Sequence, residues 1–485
     1  MTRKSKRPAE SFTVHIDNLN HEGQGVARRD GKAVFVEGAL PGEEVRCVYT
    51  TRRSRRDEAL TVEVLQAAPE RVEPRCTHFG ICGGCALQHL QPDEQRAVKQ
   101  RWLLDSLAHI GKVQPAQVLE PMIGPLWGYR RRARLGVKYV AKKGRVLVGF
   151  RERRSPYIAD LRRCEVLDER VGGLLEELAA LIDGLSIRDR LPQIEVAGGD
   201  AVMGLNFRVL TPPSETDLAQ LQAFGERQGF ALYLQPGGPD SVRLLDPSPL
   251  ALLPPGERGK LSYRLPDFDL NLEFQPWHFI QVNAAINRQL VQRACEFLEL
   301  GPDSRVLDLF CGLGNFTLAL ARQAREVIGV EGDASLVEWA RRNAALNGVA
   351  NARFHAADLT ADLAGQPWMP GGYDRVLLDP PRSGALEMIP QIAALGARRV
   401  VYVSCHPATL ARDVGELVHR FGYRLDSAGV LDMFPHTAHV ESIAVLTQFP
   451  KSSNSLRASS CSGKPVTLDS FANSCRAASL RPSLT

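Results

Sequence analysis

The stretch RVLDLFCGLGNFTLALA, residues 305–321, joins an apolar run, a loop with two glycines and a run of helix-forming residues. We expect a strand over 305–309, then the loop, and then a helix that begins near Asn315. A turn of this kind lets a ligand approach the backbone at the carboxyl edge of a sheet, beside a helix N-terminus. Thr317 stands where a dinucleotide fingerprint has its third glycine, which argues against a dinucleotide ligand.

Strand, loop and helix patterns repeat after this stretch, in EVIGVEGDASLVEWARRNAALNG, YDRVLLDPPRSG and RRVVYVSCHP. The repetition over 271–449 predicts a parallel α/β sheet. Glu331, Asp358 and Asp379 each follow a predicted strand, and Glu331 is placed to accept both hydroxyls of a ribose. Each acidic residue alone could be a helix cap or a turn residue. As an ordered set they indicate a site for an adenosine ligand, with Asp358 toward the adenine.

A cysteine ends a further apolar run, in VVYVSCHPATLARD at 400–413. A lone cysteine is most often an inert core residue, but Cys405 is predicted at a strand end, on the ligand-bearing edge. Methyl transfer to carbon 5 of a pyrimidine needs such a thiol, because its addition to carbon 6 makes carbon 5 nucleophilic. A base must then remove the carbon 5 proton, and Glu441 in MFPHTAHVESIAVL is the candidate. His436 and His439 rank below it, with packing around the base as the alternative for both.

Three cysteines, Cys76, Cys82 and Cys85, form a C-x5-C-x2-C pattern in RCTHFGICGGCALQH, and Cys164 is a remote fourth. Thiolates so close in sequence, in a loop with three glycines, suit four-thiolate metal ligation. Structural zinc is the alternative, although zinc sites usually show paired C-x2-C units. The triplet with a distant fourth cysteine favours a [4Fe-4S] cluster. The pattern lacks the C-x3-C-x2-C spacing of radical chemistry, so we expect a structural or RNA-gripping role.

The chain has 485 residues, a formal net charge of +5 and ten cysteines. Its sequence shows no apolar run of about 18 residues and no apolar segment after the basic start, so we expect a cytoplasmic protein with reduced thiols and no membrane partner. Positive residues cluster at 3–7, 52–56, 130–134 and 151–154, a pattern typical of nucleic-acid binding. Solvated surface charge is the alternative for any single cluster.

The sequence divides into five predicted segments. Short β patterns with turns at 11–68 predict a small β-barrel. Residues 69–270 mix helix and strand patterns and carry the metal site, and 271–449 form the α/β domain. The segment 1–10 is a basic tail, and the Ser-rich segment 450–485 is expected to be disordered.

Several of these stretches together resemble the RNA uracil-5-methyltransferase family: DLFCGLGNF, DPPR, VSCHPATLARD and FPHTAHVESIAVL, with FIQVN upstream. HEGQGVAR and VEGALPGEEV resemble a TRAM domain, an RNA-binding barrel similar to an OB-fold. With the cysteine pattern, the chain is most similar to the branch that acts on 23S ribosomal RNA and holds a [4Fe-4S] cluster. The resemblance, over about 11–449, implies a class I (Rossmann-like) methyltransferase domain of α/β type that uses S-adenosylmethionine, a TRAM barrel and a central α+β iron-sulfur domain.

The resemblance also implies roles for individual residues, with Cys405 as the nucleophile and Glu441 as the proton acceptor. The cofactor-binding positions are Gln281, Phe310, Asn315, Glu331, Asp358 and Asp379. The cluster ligands are Cys76, Cys82, Cys85 and Cys164. His406, where the family usually has asparagine, is a departure that could alter the electrostatics of the thiol. The tail after residue 450 is a second departure from the family pattern.

The activity implied is formation of 5-methyluridine at one site in 23S rRNA by a monomer that takes a flipped-out uridine. A transfer RNA uracil-5-methyltransferase is one alternative. Cytosine-5 methylation is another, but there the cysteine typically follows a proline, whereas Cys405 here precedes Pro407. The third is a non-catalytic RNA-binding or ribosome-assembly factor that keeps the fold, and the presence of both Cys405 and Glu441 argues against it.

Overall fold

The computed structural model describes four stretches of the chain, 11–245, 261–361, 363 and 365–448. The predicted basic tail at 1–10 and the predicted disordered tail at 450–485 lie outside these residues. Among the described residues, no helix combines the length and apolar character needed to cross a bilayer.

The N-terminal part folds into one curled six-stranded sheet. Its strands are β1 (Ser11–His15), β2 (Asn18–Leu19), β3 (Gly25–Arg29), β4 (Lys32–Glu37), β5 (Glu44–Arg52) and β6 (Arg56–Gln66). They lie in the order β1-β5-β6-β4-β3-β2, and Asp17 after β1 donates its N–H to the carbonyl of Val26 in β3, so the sheet curls back toward its first strand. Phe12 and Val14 alternate with exposed residues along β1, which is typical of a strand with one solvated face. The predicted small β domain is confirmed.

The cysteine loop, residues 76–88, and a long helix follow. Helix α1 (Pro92–Ser106) continues into a π-helical turn at Leu107–Gly111, and a two-residue strand, β7 (Gln117–Val118), comes next. Proline at the first helical position and two acidic residues in the first turn, Asp93 and Glu94, suit the start of α1.

The central part of the chain is a second six-stranded sheet with helices. Its elements are β8 (Arg132–Val140), β9 (Arg145–Gly149), α2 (Glu169–Gly172), α3 (Leu175–Asp183), β10 (Gln193–Gly198), β11 (Met203–Arg208), α4 (Glu215–Gln228), β12 (Phe230–Gln235) and β13 (Arg243–Leu244). The strand order is β13-β12-β11-β10-β8-β9. Ser214 and Asp217 form a reciprocal capping box that starts α4.

The C-terminal part is an α/β sheet with helices on both of its faces. Its elements are β14 (Leu261–Leu265), β15 (Leu270–Phe274), α5 (Ala284–Leu298), β16 (Arg305–Leu309), α6 (Thr317–Ala321), β17 (Glu326–Glu331), α7 (Ala334–Leu346), β18 (Ala352–Ala356), β19 (Arg375–Leu378), α8 (Ile389–Leu395), β20 (Arg399–Ser404), α9 (Pro407–Phe421), β21 (Tyr423–Leu431) and β22 (Glu441–Gln448). Strands β14 and β15 form a separate two-stranded sheet, and the other seven strands form with β7 an eight-stranded sheet of order β18-β17-β16-β19-β20-β22-β21-β7. The strands from β16 to β20 run parallel, which confirms the predicted parallel sheet, and all of them except the edge strand β18 are buried along almost their whole length.

Two details differ from the sequence-based expectation. The helix expected near Asn315 begins at Thr317, because a tight turn occupies the preceding residues. Strand β7 pairs with β21 and becomes the eighth strand of the C-terminal sheet, so the chain crosses the boundary expected at residue 271. This pairing covers the edge of β21. A strand of two residues is too short to show a periodic pattern, so the sequence did not predict it.

Candidate active site

Parallel pairing brings the ends of the strands to one edge of the C-terminal sheet. Glu331, Asp379 and Cys405 lie at or directly after the ends of β17, β19 and β20, so they meet at the carboxyl edge, as predicted. Strand β22 is antiparallel to β20, and its first residue, Glu441, therefore starts at the same edge. The topology gathers the predicted nucleophile, base and acidic residues in one place.

Cys405 and Glu441 lie beside each other across two strands. Ser404 pairs with Ser442, and the thiol and the carboxyl each belong to the next residue outward. Burial raises the pKa of Cys405 to about 11, and the charges of Glu441 and Asp379 add to this while Arg382 opposes it. Glu441 is only 4% exposed, and burial raises its pKa well above the ordinary value. The thiol is thus protonated at rest, and the carboxylate is a stronger base than an exposed one.

Arg382, in the DPPR loop after β19, lowers the pKa of both Cys405 and Glu441. Its guanidinium lies 3.1 Å from Nδ1 of His439, and its carbonyl accepts a hydrogen bond of 3.1 Å from the hydroxyl of Thr409. A guanidinium here favours a thiolate and an ionised carboxyl. The sequence pattern DPPR pointed to this loop, but no role was predicted for the arginine itself.

The loop after β16 has an unusual backbone. Phe310, Gly312 and Gly314 all have positive φ, of 64°, 54° and 89°. A phenylalanine in this region is strained, and such strain persists where the surroundings hold it, often at ligand sites. Glu331 helps to hold the loop, because its Oε2 accepts a 3.0 Å hydrogen bond from the N–H of Gly312 and its Oε1 accepts one of 2.8 Å from Gly332.

The predicted cofactor residue Asn315 is fixed by two residues that the sequence did not single out. Asn315 and Asn287 exchange side-chain amide hydrogen bonds of 2.9 and 3.0 Å, and the hydroxyl of Tyr263 donates to Asn315 Oδ1 at 2.9 Å. Gln281 donates to Asp379 Oδ2 at 3.4 Å. Asn287 lies four residues after the N-cap of α5, but its contact with Asn315 is long-range, and no local pattern signals it.

Asp308, inside β16, makes the site more acidic than predicted. Its Oδ2 accepts a 2.5 Å hydrogen bond from the hydroxyl of Thr317, and its buried Oδ1 has no hydrogen-bond partner among the described residues. Burial raises the pKa of Asp308 to about 7, helped by the charges of Asp379 and Glu331. Burial and the charge of Glu331 likewise raise the pKa of Asp379 to about 7. Three mutually repelling carboxyls favour a cationic ligand and disfavour a pyrophosphate.

Asp358 lies after β18, where it was predicted, but its side chain is exposed and stabilises a turn. Its Oδ1 accepts hydrogen bonds of 2.9 Å from the N–H and 2.7 Å from the hydroxyl of Thr360, and these bonds lower its pKa. This is the turn alternative that the sequence left open. A contact with adenine stays a prediction.

His406 caps helix α9. Its Nδ1 accepts a hydrogen bond of 3.4 Å from the N–H of Thr409, the position that an asparagine oxygen fills in an ordinary N-cap. Burial, together with the charges of Arg382 and His21, lowers the pKa of His406, which favours the neutral ring that such an acceptor requires. The departure from asparagine therefore keeps the capping function.

The four cysteines predicted as ligands line one cavity. Cys76, Cys82, Cys85 and Cys164 lie in its wall, which is completed by residues that include Gln88, Phe150 and Leu161. Burial raises the pKa of all four thiols, to about 12 for Cys85 and about 11 for Cys164. Within the described stretches, no three His, Cys, Asp or Glu side chains are arranged as a ready site for one metal ion.

Most of the arginines predicted to contact RNA at 130–134 and 151–154 are engaged within the protein. Arg132 and Arg134 pair with Glu195, and Arg131 pairs with Asp200. Both Arg153 and Arg154 pair with Glu37. These two clusters therefore fix the central domain and its junction with the N-terminal sheet, as well as carrying charge. Internal ion pairs are thus a further role for these clusters, and their contact with RNA stays a prediction.

Known families match two parts of the chain. Residues 262–449 match the family described as tRNA (Uracil-5-)-methyltransferase, and residues 7–48 match the TRAM domain. These spans contain the whole carboxyl edge described above and most of the curled N-terminal sheet.

Similar proteins cover nearly the whole chain. A 23S rRNA (uracil(1939)-C(5))-methyltransferase RlmD of Alkalilimnicola ehrlichii is 57% identical over 91% of this chain and 98% of its own length, and one of Stenotrophomonas maltophilia is 52% identical over the same shares. The crystal structure of a Pyrococcus abyssi tRNA (uracil-54, C5)-methyltransferase in complex with S-adenosyl-L-homocysteine superposes with a TM-score of 0.67 at 25% identity, over 90% of this chain and 99% of that one. The chain belongs to the RNA uracil-5-methyltransferase family.

Proposed function

We propose that this enzyme methylates carbon 5 of the uridine equivalent to position 1939 of 23S rRNA, as the names of its relatives at 57% and 52% identity state for those proteins. The observation that carries the chemistry is the thiol of Cys405 beside the buried carboxyl of Glu441 at an acidic strand edge. A non-catalytic factor would have no need for this pair.

The same edge supports S-adenosylmethionine as the methyl donor. The molecule is cationic at its sulfonium and its ammonium, and the carboxyls of Asp308, Glu331 and Asp379 make the edge negative. The residues proposed to hold it are Gln281, Phe310, Asn315, Glu331, Asp358 and Asp379. When bound, it supplies an electrophilic methyl group.

Each protein residue then has one task. Cys405 first loses its thiol proton to solvent, and the thiolate sulfur then adds to carbon 6 of the uracil. The electrons of the C5–C6 double bond move toward the carbonyl at carbon 4, which makes carbon 5 nucleophilic. Arg382 favours the thiolate that this step needs. Once carbon 5 bears a methyl group, Glu441 accepts its proton. The freed electron pair restores the C5–C6 double bond, the C6–S bond breaks, and Cys405 leaves as a thiolate.

We also propose that Cys76, Cys82, Cys85 and Cys164 hold a [4Fe-4S] cluster. Four thiols line one cavity, and four thiolates are the usual ligands of such clusters. Four cysteine ligands would leave no iron open to substrate, so the cluster would have a structural role.

RNA binding is proposed for the TRAM domain and the arginines at its surface. Arg52 stacks over the ring of Tyr49 and Arg56 over that of Phe35, which presents flat cationic groups of the kind that contact phosphates and unstacked bases.

The test is methyl transfer from labelled S-adenosylmethionine to unmodified 23S rRNA, to transfer RNA and to a DNA control, with the modified base mapped by mass spectrometry. The proposal expects one 5-methyluridine in 23S rRNA. Label in transfer RNA alone would keep the chemistry and overturn the substrate. Label in cytosine, or no label in any of the three, would overturn the proposed reaction.

A further inference from the structure

The segment that leads into the proposed base has a strained turn. We define the base loop as residues 432–440, between β21 and Glu441. Within it, His436 has a φ of +66°, a conformation that non-glycine residues adopt only when their surroundings impose it. The contacts around His436 therefore help to set the path of the base loop and the position of Glu441.

Residues more than 300 positions away hold both backbone groups of His436. Its N–H donates to Oε1 of Gln95 at 2.8 Å, and its carbonyl accepts hydrogen bonds of 2.9 Å from the N–H groups of both Ala86 and Leu87. Its ring stacks on Trp127 with centroids 3.8 Å apart, and its Nδ1 lies 3.2 Å from Nε2 of Gln95. Gln95 is 1% exposed, so these contacts lie in the interior.

Two further anchors fix the start of the base loop. Lys99, one helical turn after Gln95, donates to Asp432 Oδ1 at 3.0 Å and to the carbonyl of Phe434 at 2.9 Å. The hydroxyl of Tyr129 donates to the carbonyl of Pro435 at 2.9 Å. Since α1 supplies both Gln95 and Lys99, one rigid helix holds the base loop at two points.

We propose that Gln95 is a positioning residue for Glu441, acting through His436, and that the cysteine loop shares this task through Ala86 and Leu87. The inference rests on the proposed function, because it concerns the step in which Glu441 takes the carbon 5 proton. Ala86 and Leu87 directly follow Cys85, so two hydrogen bonds connect the cysteine loop to the base loop.

The chemistry predicts which step suffers when this anchor is lost. Methyl transfer depends on Cys405 and the cofactor edge, which β16 to β20 hold. Proton removal depends on Glu441, and a misplacement of about 1 Å can slow such a step by up to about a hundredfold. A loosened base loop should therefore leave methyl transfer intact and delay the breaking of the C6–S bond.

The test compares Gln95→Met, which keeps the length of the side chain and removes its hydrogen bonds, with Arg101→Met, an exposed control on the same helix. In single turnovers on 23S rRNA, we expect Gln95→Met to form a methylated covalent adduct within about twofold of the wild-type rate and to release it about tenfold or more slowly. Arg101→Met should match the wild type. Tyr129→Phe is a milder change that removes only the hydrogen bond to the carbonyl of Pro435, and it should also slow release of the adduct. It replaces Gln95→Met in the test if Gln95→Met does not fold.

Two results would overturn the inference while the wild type still methylates its RNA: release from Gln95→Met at the wild-type rate, or formation and release slowed by the same factor. If Gln95→Met does not fold, unchanged release by Tyr129→Phe overturns it. A wild type that transfers no methyl would instead overturn the proposed function. Adduct lifetime separates positioning from general destabilisation, because loss of folded enzyme lowers the yield of both steps and leaves the lifetime of the adduct unchanged.

Discussion

Cys405 and Glu441 occupy adjacent ends of two antiparallel strands, each one residue beyond the paired positions Ser404 and Ser442. This register brings together two residues that are 36 positions apart in the sequence. Burial raises the pKa of both groups, and the charge of Glu441 raises that of Cys405 further, so the thiol is protonated at rest and the carboxyl gains basicity. The nucleophile and the base are thus built as one unit, although they act in different steps.

Replacement of the thiol should separate binding from chemistry. Cys405→Ala should bind S-adenosylmethionine and 23S rRNA within about twofold of the wild type, but should transfer no methyl group, because carbon 5 is not activated without addition at carbon 6. Filter binding and labelled methyl transfer measure the two properties. Cys405→Ala that still methylates uridine would rule out the covalent route.

The acidic edge should make cofactor binding depend on pH. The pKa of Asp379 is raised to about 7, so its carboxyl loses charge as the pH falls through that value. A cationic ligand binds the charged form, and its affinity should therefore be full near pH 8 and should decline below about pH 7. Calorimetry with S-adenosylmethionine between pH 5.5 and 8 measures this.

Asp379→Asn is the matched variant for that experiment. We expect it to bind about tenfold more weakly at pH 8, since a charged hydrogen-bond acceptor is lost, and to show a smaller pH dependence. An identical pH profile in wild type and variant would assign the dependence to another group.

The histidine after the nucleophile should be replaceable by asparagine. His406→Asn supplies another acceptor for the Thr409 N–H, so stability and activity should stay close to those of the wild type. His406→Ala removes the cap and should lower the free energy of unfolding by about 1 kcal/mol. Denaturant unfolding measures the difference, and a stable His406→Ala with an inactive His406→Asn would instead give the imidazole a chemical role.

The identity of the metal centre can be tested by measuring the iron, sulfide and zinc content of the purified protein. Protein purified without oxygen should contain about four iron atoms and four acid-labile sulfides per chain, and Cys164→Ser should lower both. Elemental analysis provides the count. One zinc atom per chain, with no sulfide, would identify a structural zinc site.

The sequence predicted the strand-end residues best. Glu331, Asp379 and Cys405 follow apolar runs whose carboxyl ends must share an edge in a parallel sheet, so their proximity follows from topology. Glu441 was predictable because it begins the next apolar run, and the antiparallel register then gives its contact with Cys405.

What the sequence did not predict arises from long-range contacts. Tyr263 and Asn287 reach Asn315 from a hairpin and a helix, and Gln95 reaches His436 across 341 positions. No local period encodes such contacts. The ion pairs of the arginine clusters were missed for a related reason, since charge in a sequence does not reveal that Glu195 or Glu37 faces it in the fold.

The most direct test of the account is the Glu441→Gln enzyme with 23S rRNA and S-adenosylmethionine. After protease and nuclease digestion, mass spectrometry should find the peptide that contains Cys405 bonded to a methylated uridine, because methyl transfer can occur while proton removal stalls. A Cys405 peptide without nucleotide, together with free 5-methyluridine product formed at the wild-type rate, would contradict the assignment of Glu441 as the base.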